Sequence, residues 1–248
     1  MRFCLIVALA LSSIAALAEP SEVEQKITEA MSSESRPEAD VIRDWDRSPL
    51  ETLTFLRLQD DMRVLELLPG GGWYTRILAP VLRENGELYV AIATDNVSQN
   101  LVSEPGFDHV EVVDIGVGME RTGPFRTNFI PPFEFGLSEI DMALTFRNMH
   151  NFTPEGRANI NAAVFKALKS GGYYGVVDHS RRHMEPMTDE NRRRADVVQI
   201  MKEVLAAGFE FVDYSDIHYR PDDELRYEVG RKTVTGNTDR FSLLFRKP

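Results

Sequence analysis

Three stretches of this 248-residue chain bring together residue types that can do chemistry. The first is Val64-Leu65-Glu66-Leu67-Leu68, an apolar run interrupted by one acid and followed at once by Pro69-Gly70-Gly71-Gly72. A carboxyl group inside such a run is costly unless it has a partner. Glycines lack a Cβ and tolerate positive φ, so a ligand can approach the backbone closely there. The second stretch is Arg147-Asn148-Met149-His150-Asn151, where a histidine able to titrate near neutrality could accept a proton. The same histidine fits a second role, capping or orienting its loop. Asn148 and Asn151 could likewise position a ligand or satisfy loop backbone groups. The third is Asp178-His179, a carboxylate beside an imidazole that it could orient or polarise. His150, Asp178 and His179 are therefore the candidate catalytic side chains. They lack the tight spacing of a metal site, and no metal is expected.

The elements that must position these residues follow from local pattern. The run at 64–68, a buried strand, gives way to a glycine turn and then to a helix carrying Trp73, Ile77, Leu78 and Val81 at helical spacing. Further strands are read at 86–93, 109–114, 141–146, 173–178, 209–214 and 241–246. Helices are read at 21–33, 38–45 and 50–58. Ser48 is read as an N-cap with Pro49 at the first helical position, and Thr153-Pro154-Glu155 opens another helix that Gly171-Gly172 stops. A long helix is read from Asp189 to Ala207, closed by Gly208. Strands alternating with helices predict an α/β fold: a Rossmann-like, seven-stranded, mostly parallel sheet with helices on both faces and an antiparallel C-terminal edge strand. Ligands of such sheets bind outside the carboxyl ends of the strands. That brings residues 66–72, 93–95, 145–151 and 178–183 to one side of the molecule.

The chain opens MRFCLIVALALSSIAALAEP, with a basic start, an apolar run and a small-residue Ala-Leu-Ala before Glu19. This is the pattern of a cleavable secretory signal over 1–18, cut after Ala18, and the expected location is periplasmic or secreted, without stable membrane insertion after cleavage. Residues 19–47 read as an N-terminal helical extension and 48–248 as one domain. Cys4 is the sole cysteine, so the mature chain has no disulfide and no thiolate site. A net charge of −11 argues against nucleic acid as a partner. Oligomeric state is not legible. Gly123 to Phe135, with four phenylalanines and three prolines, reads either as a cover over the site or as a loop packed on the sheet. Arg181-Arg182 and Arg192-Arg193-Arg194 read as a solvated face paired with acids, and if functional would favour an acidic substrate.

With these elements placed, the chain resembles the class I S-adenosylmethionine-dependent methyltransferases. Glu66-Leu67-Leu68-Pro69-Gly70-Gly71-Gly72 is similar to their E/D-x-G-x-G-x-G segment, Leu168 to His179 to the segment before strand five, and Ala206 to Asp213 to the start of strand six. The terminal Asp239 to Pro248 resembles a group of exported, uncharacterised predicted methyltransferases. The resemblance implies S-adenosylmethionine as cofactor and a small-molecule methyl acceptor. It also implies a cofactor site at Glu66, Gly70, Gly71 and Gly72, with Thr145 and Asn148 near the methionine amine. Asp95 stands in for a ribose-binding acid that falls near Ala93, and Asp114 lies near the adenine. The family's first glycine is Leu68. That departure, together with Ala93, keeps open an alternative in which the protein binds adenosylmethionine or a nucleotide without turnover. A nicotinamide-dependent enzyme is the nearest rival. Its fingerprint needs a third glycine where this chain has Thr75.

Overall fold

The computed structural model describes residues 19–122 and 125–248. The expected signal segment, residues 1–18, lies outside the described residues. Along the chain, α1 (Glu22–Met31), α2 (Glu38–Val41), α3 (Asp44–Arg47) and α4 (Pro49–Phe55) precede β1 (Arg63–Leu67). Then come α5 (Thr75–Leu82), β2 (Glu87–Ala91), α6 (Asp95–Asn100), β3 (Val110–Val113), β4 (Glu120–Thr122), β5 (Thr127–Phe129) and β6 (Ile140–Phe146). The chain finishes with α7 (Pro154–Ala167), β7 (Leu168–Arg181), β8 (Ala195–Asp196), α8 (Val197–Ala206), β9 (Glu210–Ser215) and β10 (Arg240–Arg246).

The main sheet runs β3-β2-β1-β6-β7-β10-β9, with β8 appended to β7. Pairing is parallel from β3 through β7, while β10 is antiparallel to both β7 and β9. The antiparallel C-terminal strand thus lies one position in from the edge, which β9 occupies. The order reverses between β1 and β6, the place where open α/β sheets leave a crevice at their carboxyl ends. Helices cover both faces. One core joins Ile27, Leu53, Leu56, Ile77, Leu78, Val64 and Leu144, and the other joins Leu65, Leu67, Ile160, Val164, Ile200 and Phe245. Each such fully buried aliphatic or aromatic side chain contributes roughly 1.5–3 kcal/mol. A capping box starts α1, with Ser21 and Glu24 bonded reciprocally. Thr153 Oγ1 caps α7 by accepting the Gly156 N–H at 3.0 Å.

Three local expectations need correction. The helix read over 189–207 begins only at Val197, because Arg194 is drawn into the interior by Asp223, at 2.8 and 3.0 Å, and Asp196 caps the helix by accepting the Val198 N–H at 2.9 Å. A buried ion pair has overridden a helical pattern. Ser48 precedes α4 but makes no side-chain cap, since its φ of 41° places it in the left-handed region; Pro49 does occupy the first helical position. The α7 helix ends at Ala167, ahead of Gly171, whose φ of 80° falls inside β7.

Candidate functional site

The turn after β1 is built on three left-handed residues two apart: Leu68 (φ 53°), Gly70 (φ 60°) and Gly72 (φ 83°). A leucine therefore adopts the backbone expected of the family's first glycine, at a strain cost of about 1 kcal/mol or more. Leu68 is held there by its N–H donating to Ala91 O at 2.8 Å. The glycines divide the work. A Cβ on Gly70 or Gly71 would meet nothing within 4 Å among the described residues, so both present open backbone. A Cβ on Gly72 would stand 2.4 Å from Leu101 Cδ2. Gly72 is buried, the space its missing Cβ leaves is taken up by packing against α6, and it is not part of the cavity lining described next.

A cavity of about 500 Å³ opens beside this turn. Its lining includes Glu66 from β1, Leu68, Gly70 and Gly71 from the turn, Phe146, Arg147, Asn148 and His150 from the end of β6 and just beyond, His179 from β7, Arg43 and Arg47 from the two ends of α3, and Thr238 and Arg240. Glu66 is buried, and its Oε2 accepts from Thr75 Oγ1 at 2.6 Å. Loss of solvent raises its pKa to about 7, an effect the threonine bond only partly offsets. Thr75 occupies the position where a dinucleotide fingerprint needs glycine, and here its hydroxyl has a use. Asn148 ties the two strand ends together, its Nδ2 donating to Leu68 O at 3.2 Å and Phe146 O at 3.1 Å.

The histidines are fixed from behind. Asp178, wholly buried, accepts from His150 Nδ1 at 2.5 Å, from the His150 N–H at 2.9 Å and from the His179 N–H at 2.7 Å. With the Asp178 carboxyl group opposite, Nδ1 acts as the donor and Nε2 is left as the acceptor on the far side of the ring. His179 Nδ1 lies 3.0 Å from Thr238 Oγ1, and burial followed by the neighbouring His150 and arginines holds its pKa well below the ordinary value. The two rings are 5.8 Å apart, centre to centre. Among the described residues no group of three His, Cys, Asp or Glu side chains is arranged to hold a metal ion.

His150 also borders a second cavity, of about 250 Å³, with Phe125, Phe152 and Arg181. The proline- and phenylalanine-rich stretch is split between roles: Phe125 lines this cavity, while Phe133 and Phe135 meet each other edge to face and join the core on one face of the sheet. Gly123 and Pro124 lie outside the described residues. The basic run at 192–194 is not a uniformly solvated face, since Arg194 is fully buried.

Three other expected residues stand apart from the cavity. Thr145 is buried within β6, its Oγ1 has no hydrogen-bond partner among the described residues, and it does not line the cavity, so its side chain is removed from the site. Asp95 is exposed at the first position of α6, just beyond Ile92 and Ala93, which are both left-handed. Asp114 is exposed and closes its own turn by accepting the Gly116 N–H at 2.8 Å. Residues missed by pattern include Arg47, whose guanidinium sits 4.2 Å from the Trp73 ring centre, and His218, which bridges Arg47 O at 2.9 Å and Ser242 Oγ at 2.8 Å. Neither has a local signal, because both depend on the N-terminal helices folding back over the sheet end.

No protein-family model matches the sequence, and no curated protein matches it. Solved structures do. A SAM-dependent methyltransferase from Aquifex aeolicus aligns at a TM-score of 0.56 and 15% identity, covering 90% of this chain and 97% of that one. The [4+2]-cyclase SpnF aligns at 0.57 and 16%, over 91% and 93%. The chain has their fold. Human N-acetylserotonin methyltransferase in complex with SAM aligns at 0.52 and 13%, over 91% of this chain and 56% of that one. At these identities the likeness is one of architecture, and the chemistry has to be argued from this chain's own residues.

Proposed function

We propose that the protein is an S-adenosylmethionine-dependent methyltransferase acting on a small molecule, exported through its first 18 residues. The observation that carries the reading is a coincidence on one cavity: the open Gly70-Gly71 backbone and the Asp178-oriented His150 line the same space. The residues present suit the cofactor. Open glycine backbone leaves room for it, and Glu66 with the Asn148 Oδ1 offers acceptors to its ammonium group. Asp95 is the candidate for the ribose hydroxyls and Asp114 for the adenine side, both beyond the cavity on the open end of the sheet. When bound, S-adenosylmethionine supplies an electrophilic methyl group. The protein's share is alignment, exclusion of water and proton handling. His150 Nε2 accepts the proton that an acceptor hydroxyl or amine must lose, Asp178 fixes the ring and steadies the cation formed, and His179 stays neutral beside it.

A second reading, a binding protein or a catalyst of another reaction on the same fold, is favoured by one finding: a structure named as a [4+2]-cyclase aligns as well as the methyltransferase does. Calorimetry and transfer assays separate the two. The methyltransferase reading expects binding of S-adenosylmethionine and S-adenosylhomocysteine without binding of NAD, together with label transfer from methyl-labelled S-adenosylmethionine to an acceptor in a small-molecule screen. Tight binding with no transfer across that screen would favour the second reading.

A further inference from the structure

The cavity wall carries more positive charge than its own acids balance. Arg240 is paired with Asp46 at 2.9 Å, Arg193 with Glu228, and Asp40 lies 3.8 Å from Arg76. That leaves Arg43, Arg47 and Arg147 facing the cavity without an ion-pair partner among the described carboxylates. Arg47 is the telling one. It is 2% exposed, and its Nε and Nη1 have no hydrogen-bond partner among the described residues. The Trp73 ring beneath it offers a cation–π contact, which does not satisfy N–H donors. Burial first, and neighbouring arginines next, push Arg47 down to about 8 and Arg147 to about 10. Guanidinium does not give up its proton under such pressure, so the strain is relieved by bringing in an anion.

Resting on the methyl-transfer reading of this cavity, we propose that the methyl acceptor is itself an anion, with a carboxylate or phosphate group held between Arg47 and Arg147. One cofactor carboxylate does not meet a demand of three guanidiniums. S-adenosylmethionine carries one carboxylate against an ammonium and a sulfonium, so it enters as a net cation and adds to the excess. The second ligand must bring the negative charge. Paired guanidinium forks match the oxygens of carboxylate and phosphate. Arg147 also directly follows β6, three residues before His150, which puts the anchor and the base on one short segment of the cavity wall.

The test is calorimetric titration of the purified protein with inorganic phosphate at low ionic strength, alone and saturated with S-adenosylhomocysteine or S-adenosylmethionine. One phosphate site is expected, compatible with bound S-adenosylhomocysteine and at least fivefold tighter when the sulfonium of S-adenosylmethionine is present. Arg147→Gln should weaken phosphate at least tenfold and Arg147→Lys less, both with S-adenosylhomocysteine affinity within threefold of the parent. Phosphate that displaces S-adenosylhomocysteine would overturn the proposal, because the guanidiniums would then serve the cofactor's own carboxylate. So would an Arg147→Gln variant with undiminished phosphate affinity. Should the variants fail to fold, the competition experiment on the parent protein decides alone. Phosphate binding in a protein that takes neither adenosyl compound would instead remove the methyl-transfer reading and leave the anion site standing.

Discussion

The carboxyl end of the sheet has two unlike halves. Over β1, β6 and β7 it is roofed by the N-terminal helices and the segment before β10, and its charged groups are buried and interlocked: Glu66 on Thr75, His150 on Asp178, Arg240 on Asp46. Over β2 and β3 it is open, and its acids, Asp95 and Asp114, stand in solvent without ion pairs among the described residues. Burial makes the first half able to hold protons and charges in unusual states. It also makes that half sensitive to every substitution. The open half can contribute contacts to a ligand and little else. In the proposed division of labour, reaction belongs to the roofed half and grip on the adenosine to the open one.

Substitutions can break this contrast, beginning with the largest effect. Asp178→Ala leaves three donors facing an empty space and should cost about 3 kcal/mol in urea denaturation, whereas Asp114→Ala should stay within about 0.5 kcal/mol. Equal effects would erase the distinction. Glu66 has a folded-state pKa of about 7 against an ordinary 4.5, so its stability contribution is fully present below pH 4.5 and is lost as pH rises through 7. Glu66→Gln should therefore stabilise the ligand-free protein by up to about 3 kcal/mol at pH 8 while leaving it little changed at pH 4, and parallel stability–pH curves would contradict this. The turn offers an internal control. Gly72→Ala meets Leu101 and should cost about 2–3 kcal/mol in stability, while Gly70→Ala should cost about 1 kcal/mol, from its positive φ alone, yet weaken S-adenosylhomocysteine at least tenfold. The smallest effect belongs to the open half: Asp95→Ala should reduce that affinity by about 1 kcal/mol with no change in melting temperature, the scale of one exposed hydrogen bond.

The same contrast separates what was legible in the sequence from what was not. The seven main strands and the cavity-facing Glu66, Gly70, Asn148 and His150 come from local pattern, because alternating apolar runs and a glycine turn follow directly from chain geometry. The strain at Leu68 and the packing role of Gly72 required the coordinates, since a leucine gives no sign that its backbone is left-handed and a glycine does not say what stands opposite. Arg194 and Arg47 were illegible for a deeper reason. Their environments are made by residues far along the chain, Asp223 for Arg194, and Trp73 with the folded-back sheet end for Arg47. The β4–β5 pair escaped because its six residues are polar or half-buried and carry no alternation.

The central claim, that the roofed cavity beside Gly70 and Gly71 is a cofactor site, is tested most directly by calorimetric titration of S-adenosylhomocysteine into the purified protein and its Gly70→Val variant, with NAD as the control ligand. The expected result is a single site for S-adenosylhomocysteine, no heat from NAD, and at least a tenfold loss in Gly70→Val with its fold retained by circular dichroism. Binding of NAD in preference, or an undiminished S-adenosylhomocysteine affinity in the folded variant, would contradict it.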